Sequence, residues 1–290
     1  MAAASLAALC WASATVLSKA ALQNTSPVLL LTLQLIVSNM LLWGVILVLR
    51  RRLPPRPAAG RIALLGLLEP GLAYLLGLIG LVSVGAGVAT LIQASEAIMI
   101  LVLAAVLLAQ PLRVPVVVSS LVALAGLAMA LGLFDTGAGE NDPTGVILIF
   151  VATAAAAVYV TLSARIAANH DTSVIVGLQQ LSALVLALTA LPADALLFGG
   201  LAGPSGAGEW TVVIISGVLQ YAVAFSLYMY ALARISAGLA GSCLNLTPVF
   251  GLVLAFLLLG EVLTGLQLLG AVITILAVGY IHLRAGAVQH

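Results

Sequence analysis

Charge is what this sequence has least of. Its 290 residues include ten Lys or Arg and nine Asp or Glu, 7% in all, against about 25% in an ordinary soluble domain. A soluble fold of this length needs a polar skin that so few charges cannot supply. Disorder is excluded by the opposite count, because 63% of the residues are hydrophobic and that much apolar surface does not stay solvated. The two cysteines, Cys10 and Cys243, both fall inside apolar runs, which argues against a disulfide framework or a metal site. His170, His282 and His290 sit at predicted membrane edges or in the tail. They form no ligand cluster, so no cofactor and no metal are expected. No histidine and no aspartate falls in the middle of an apolar run. The nucleophile–base pair or aspartate pair of an intramembrane protease is therefore missing, and the chain is read as no enzyme. A formal net charge of +1 gives no reason to expect a nucleic-acid partner.

What the sequence has in quantity is long apolar runs. A bilayer core of about 30 Å takes roughly 20 helical residues. Cutting at charges, prolines and glycine-rich breaks leaves ten runs: 2–21, 27–49, 61–82, 86–109, 113–134, 144–168, 172–192, 209–233, 236–259 and 263–284. Lipid offers backbone polar groups no partner, so these runs are read as helices. The expected fold is an all-α polytopic membrane protein of ten transmembrane helices, with no soluble domain. Ala12-Ser13-Ala14 imitates a signal-peptide cleavage site, but a basic n-region is absent and the apolar stretch runs on to Lys19. The first run is therefore read as a true helix.

Basic residues orient the chain. Arg50, Arg51, Arg52, Arg56 and Arg61 crowd one loop. If that loop is cytoplasmic, so are Arg113, Arg165, Arg234 and Arg284, while Asp135, Glu140, Asp142, Asp194, Glu209 and Glu261 fall outside. Both termini are then cytoplasmic, and the chain is placed in the plasma membrane (the inner membrane if bacterial).

The two halves resemble each other. A shift of 151 residues lays ISAGLAG (235–241) on VGAGVAT (84–90) and LAFLLLGEVL (254–263) on LAAVLLAQPL (103–112). A shift of 146 lays AVYVTLSAR (157–165) on WASATVLSK (11–19). Five spans per half is an odd number, so the second unit (140–284) is expected to enter the membrane upside down relative to the first (1–135). Inverted repeats of this kind place a substrate site near the midplane between the units.

Two acids lie at that depth. Glu69, followed by Pro70, and Glu96 fall well inside predicted spans; ionised and unpaired they would together cost on the order of 5–7 kcal/mol. They must face a wet hollow, find partners or hold protons. Gln93 precedes Glu96 by three residues on the same helical face, and Glu69 maps by the repeat onto Gln220. Ser242, Asn245 and Pro248 form one stripe, and Pro248 removes the amide that would bond the Leu244 carbonyl. Tyr221, Phe225 and Tyr228 share a helix face, and Tyr74 is the repeat mate of Phe225. Such rings stack on a flat substrate or shield a cation. Trp11 and Tyr159 lie mid-span, whereas Trp210 and Tyr280 read as interface anchors. Lys19 and Arg165 correspond through the repeat, as snorkelling side chains or as gating groups.

With TLSAR closing the sixth run and TPVFGLVLAFLLLGEVLTGLQLLGAVITILAVGY near the end, the sequence resembles the EamA-type branch of the drug/metabolite transporter superfamily, and within it the YddG-type exporters of aromatic amino acids. The resemblance is strongest over 224–284. The first half departs from it, with Ala109-Gln110 where the second has Gly260-Glu261, and Ala97 where it has Pro248. The resemblance implies export of amino acids, other metabolites or cationic drugs through a central cavity lined by spans three, four, eight and nine. The expected partners are a small-molecule substrate and the lipid bilayer, for a monomer or homodimer. Phosphorylated or nucleotide sugars would need midplane Lys or Arg, which the spans lack. A channel or a structural membrane protein is the remaining alternative, and coupling to protons stays open against facilitated flux.

Overall fold

The computed structural model describes residues 1–81, 83–84, 86–131, 142–197, 200–259 and 264–286, and every regular element among them is helical. In order, α1 (Ala2–Ala21) and α2 (Pro27–Val48) are followed by α3 (Arg56–Gly66), a π-type segment Leu67–Leu72, and α4 (Ala73–Leu81). Next come α5 (Ala86–Ala94), α6 (Glu96–Leu108), α7 (Val114–Ala130), α8 (Pro143–Ala167) and α9 (Thr172–Leu197). The rest is α10 (Ala207–Gly217), a second π-type segment Val218–Val223, α11 (Ala224–Leu232), α12 (Ala237–Ser242), a 3-10 turn Cys243–Asn245, α13 (Leu246–Leu259) and α14 (Gly265–Gly286). Prolines start several of these helices: α2, α3, α7 and α8 each carry one at the first or second position, where its missing amide would have had no partner.

Five of the rods are long and apolar enough to cross a bilayer: Pro27–Val48, Arg56–Gly80, Pro143–Ala167, Thr172–Leu196 and Ala207–Leu232. Shorter apolar helices stand among them. Large aliphatic side chains such as Met40, Val48, Val106, Val114 and Leu196 lie outward and exposed. That much exposed apolar surface is foreign to a soluble monomer and is what lipid covers. The chain is a multi-pass membrane protein.

The break in the third rod has a local cause. Glu69 precedes a proline, whose ring disfavours the helical conformation for the residue before it. Glu69 accordingly lies at φ −148°, ψ 131°, and the helix restarts at Ala73. The eighth rod carries its π-type segment with no proline to force it. A shift of 151 residues carries one rod onto the other end for end: Arg56, Gly66, Leu72 and Leu81 become Ala207, Gly217, Val223 and Leu232. The fourth and ninth rods also break at matching places, Ser95 and the Cys243–Asn245 turn.

Packing between the halves is reciprocal. α1 lies against α10, α11 and α13, while α8 lies against α3, α4 and α6; α2 packs on α9 and α7 on α14. Small residues permit the closest approaches. An added Cβ on Gly66 would stand 1.8 Å from the Gln179 carbonyl oxygen, and one on Gly217 2.9 Å from the Cα of Gln34. The α7–α14 crossing is as tight, since a Cβ on Gly270 would stand 2.4 Å from the Gly126 carbonyl.

Charge segregates between the two ends. At one, Arg51 pairs with Asp171 at 3.2 Å, and an Arg165 Nη2 donates to the Leu107 carbonyl in the last turn of α6. The exposed Arg51–Asp171 pair is worth at most about 1 kcal/mol. At the other end Asn24 Nδ2 donates to Glu209 at 2.8 Å, and the buried Asp194 accepts from Ser26 Oγ at 2.6 Å and from the amides of Val28 and Leu29 at 3.3 Å each. Asp194 therefore caps α2 from a different helix, because Ser26 makes no capping bond of its own. Asp194→Ala should lower stability by about 1.5–3 kcal/mol, the range for hydrogen bonds to a charged acceptor, with Asp194→Asn intermediate. Unfolding of both variants in detergent micelles checks this; equal stability of Asp194→Ala and wild type would refute the cap. Asp135, Glu140, Gly260 and Glu261 lie outside the described residues, as do the side chains of Lys19, His282 and Arg284.

Candidate functional site

The centre of the bundle is aromatic. Phe225 on α11 meets the rings of Trp11 (centroids 5.3 Å apart), Tyr159 (6.1 Å), Tyr221 (6.2 Å) and Tyr74 (6.5 Å). Trp11 also meets Tyr228 at 5.4 Å, and Tyr74 meets Tyr221 at 5.3 Å. Rings from α1, α4, α8 and the α10–α11 rod thus close on one point. Tyr159, Tyr221, Phe225 and Tyr228 are buried, and Tyr74 of the first half reaches Phe225 of the second.

Polar groups thread through these rings. Gln220 Nε2 donates to Tyr74 Oη at 3.1 Å, and Tyr159 Oη donates to Gln179 Oε1 at 2.9 Å. Gln179 Nε2 in turn donates to Ser163 Oγ at 3.2 Å. Behind them Gln180 Nε2 donates to the Tyr221 carbonyl at 2.6 Å, and its Oε1 accepts from Ser38. Gln34 Nε2 reaches Ser18 Oγ at 2.9 Å and Ser216 Oγ at 2.7 Å. Gln179, Gln180 and Gln34 did not emerge from the sequence reading. The signal was there, since each glutamine falls mid-run on spans two or seven, but no charge or proline drew attention to them.

Several polar atoms are left over. Gln220 Oε1, Tyr228 Oη and Asn245 Oδ1 are buried with no hydrogen-bond partner, a deficit that ordinarily costs about 1–3 kcal/mol for each group. Asn245 ends the 3-10 turn in the ninth rod. Pro248 falls in the first turn of α13 just beyond it, where a missing amide leaves no ladder bond broken.

Glu69 and Glu96 stand in the same neighbourhood. Both are half-buried, and they lie within electrostatic reach of each other, of Tyr74 and of Tyr228. Each sits where its rod breaks, Glu69 in extended conformation and Glu96 as the first residue of α6. Among the described residues neither has a Lys, Arg or His salt-bridge partner; the ion pair recorded is Arg51–Asp171. Gln93, expected to share the face of Glu96, is exposed on α5. The structure therefore brings together Trp11, Glu69, Tyr74, Glu96, Tyr159, Gln220, Tyr221 and Tyr228. It adds Phe225 as the hub, sets Asn245 in the breaking ninth rod and places Gln93 at an exposed position.

Two stretches of the chain, residues 1–132 and 143–283, each match the EamA-like transporter family. The chain belongs to that family. Among similar proteins, "Uncharacterized transporter YdfC" of Bacillus subtilis is 25% identical over 274 residues, 94% of this chain and 88% of its own length. A "Probable terminal-alkyne amino-acid exporter" of Streptantibioticus cattleyicolor is 30% identical over 205 residues, 71% of this chain and 67% of that protein. "Threonine/homoserine exporter RhtA" of Escherichia coli is 31% identical over 137 residues, 46% and 43% of the two chains. A solved crystal structure superposes with a TM-score of 0.80 over 99% of this chain and 98% of the other at 20% identity, a likeness of fold. An EamA-like chain is a membrane transporter of small molecules and no enzyme.

Proposed function

We propose that this protein exports amino acids, most readily those with aromatic or bulky side chains, by alternating access between two oppositely inserted five-helix units spanning residues 1–135 and 140–284. Both termini face the cytoplasm in this reading. Glu96 and Glu69 receive the substrate ammonium or a proton, Gln220, Tyr228 and Asn245 supply acceptors, and Trp11, Tyr74, Tyr159 and Tyr221 receive the side chain. Arg165, bonded to the last turn of α6, and Lys19 are snorkelling or gating groups at opposite faces, and Gln93 joins the site only if its helix turns during transport.

One observation carries the reading. Among the described residues, two acids without a basic partner and the unsatisfied oxygens of Gln220 and Tyr228 lie beside a ring cluster, and both acids and Gln220 stand at breaks in their rods, with Asn245 left unsatisfied at the break of the ninth. Acceptors and carboxylates together are complementary to a cation that donates several hydrogen bonds, which is what an ammonium group is. The amino-acid exporters among the relatives point the same way. Sugar phosphates fit poorly, for they call for a basic centre.

The test is flux of labelled phenylalanine, threonine and a dicationic dye in proteoliposomes, with Tyr228→Ala beside wild type. Wild type should move at least one amino acid. Tyr228→Ala should lower phenylalanine flux more than threonine flux, because a lost ring contact of about 0.5–1.5 kcal/mol concerns the aromatic substrate alone. Absence of any amino-acid flux in wild type would end the proposal.

A further inference from the structure

At the arginine-rich end of the bundle, away from the aromatic centre, a cavity of about 270 Å³ lies between the α6–α7 connection and the α11–α12 connection. Its wall carries two guanidinium groups, Arg113 from the first half and Arg234 from the second, with Gln110 and Ser236 beside them and Leu101 and Leu239 among the apolar residues lining it. Neither arginine has a carboxylate partner among the described residues. Arg234 is held in place: its guanidinium carbon lies 3.4 Å from the Tyr230 ring centroid, and its Nη1 donates to the Tyr230 carbonyl at 3.0 Å. The remaining N–H groups of its fork are therefore presented in a fixed plane, the geometry that suits phosphate oxygens.

We infer that this cavity binds the phosphate of an anionic phospholipid. The shared chemistry is a phosphate monoanion between two arginines, and the surroundings decide its source. Leu112 and Val114, on either side of Arg113, are exposed at 52% and 71%, so exposed apolar surface adjoins the two connections that line the cavity. An acyl chain leaving the headgroup meets apolar side chains at once. Basic pockets between helices at a membrane edge are where anionic headgroups are attracted. Because one arginine comes from each half, a bound lipid bridges the two halves at this end. This goes beyond the transport reading and does not depend on it.

Thermal unfolding of the purified full chain in detergent tests the site without reference to flux. Micelles are titrated with phosphatidylglycerol, with phosphatidylcholine, or with inorganic phosphate, for wild type, Arg113→Gln/Arg234→Gln and the surface control Arg56→Gln. Phosphatidylglycerol should raise the wild-type and Arg56→Gln melting temperatures by several degrees, and leave the double variant no higher than phosphatidylcholine does. Both arginines are exposed, so the double variant should fold, and the quantity read is its lipid-induced shift. An undiminished shift in the double variant, an equal loss in Arg56→Gln, or an equal rise with inorganic phosphate would each overturn the assignment.

Discussion

Glu96→Gln is expected to give a more stable protein that transports poorly. Kept ionised among apolar helices, a carboxylate costs roughly 2.5–3.5 kcal/mol on insertion scales, which is the most that this substitution can return, since an unpaired acid can take up a proton instead; Glu69, another acid, lies within electrostatic reach. Glutamine keeps the shape and removes the charge, so unfolding in detergent should require more heat or denaturant. Transport should move the other way. A hydrogen bond from an ammonium group to a charged acceptor is worth about 1.5–3 kcal/mol, so losing it should weaken substrate capture roughly 10- to 100-fold, given tenfold per 1.4 kcal/mol. Opposite signs in the two measurements mark a group kept for function at the expense of stability. A variant less stable than wild type with unchanged flux would make Glu96 a structural residue.

Glu69→Gln should behave alike, and the double variant should gain less stability than the sum of the singles. Once one acid is neutral, the other no longer stands beside a like charge, so the two changes are coupled. The same pair decides between modes of coupling. If efflux is driven by protons entering, an acid exterior should accelerate it in wild type and not in Glu96→Gln. If flux is facilitated, the pH profile should be flat in both. One charge crossing 100 mV is worth about 2.3 kcal/mol, so a protonated carrier and a carrier of cationic substrate also respond differently to an imposed potential.

The course of the chain through the membrane was legible because lipid tolerates little ambiguity. Runs such as 27–49 and 144–168 became α2 (Pro27–Val48) and α8 (Pro143–Ala167), with no bound moved by more than one residue. The acids and rings were legible too, since a charge or a tyrosine among leucines needs a reason. The breaks were legible only in part. Pro70 announces the interruption at Glu69, but nothing in Val218–Val223 announces the matching one, which rests on tertiary contact with α1 and α2. The polar layer of Gln34, Gln179 and Gln180 was missed because a neutral amide inside a helix carries no periodic or charge signature; its partners lie on other helices. The spacing of Gln93 and Glu96 describes one unbroken helix, whereas the rod is interrupted at Ser95 between them, and Gln93 is exposed on α5.

The crossing of α3 and α9 yields the largest structural effect. Gly66→Val should destabilise the protein strongly and abolish flux, while Gly44→Ala should do neither. A Cβ at Gly66 would stand 1.8 Å from the Gln179 carbonyl oxygen, inside any permissible contact, and the obstacle is backbone. The helices must separate, which for overpacked cores costs about 1–3 kcal/mol or more. The damage passes directly to the site. Gly66 is three residues from Glu69, and Gln179 is the residue that accepts from Tyr159, so prying this contact apart moves an acid and a ring together. Gly217→Val, at the corresponding crossing against Gln34, meets atoms at 2.9–3.3 Å and should be milder. At Gly44 nothing stands within 4 Å, and alanine there gains up to about 1 kcal/mol of helix propensity. Unfolding and flux measured on the three variants order them Gly66→Val, Gly217→Val, Gly44→Ala from worst to best. A Gly66→Val protein as stable as wild type would mean that α3 and α9 do not approach so closely, and the geometry that seats Glu69 beside the central rings would have to be redrawn.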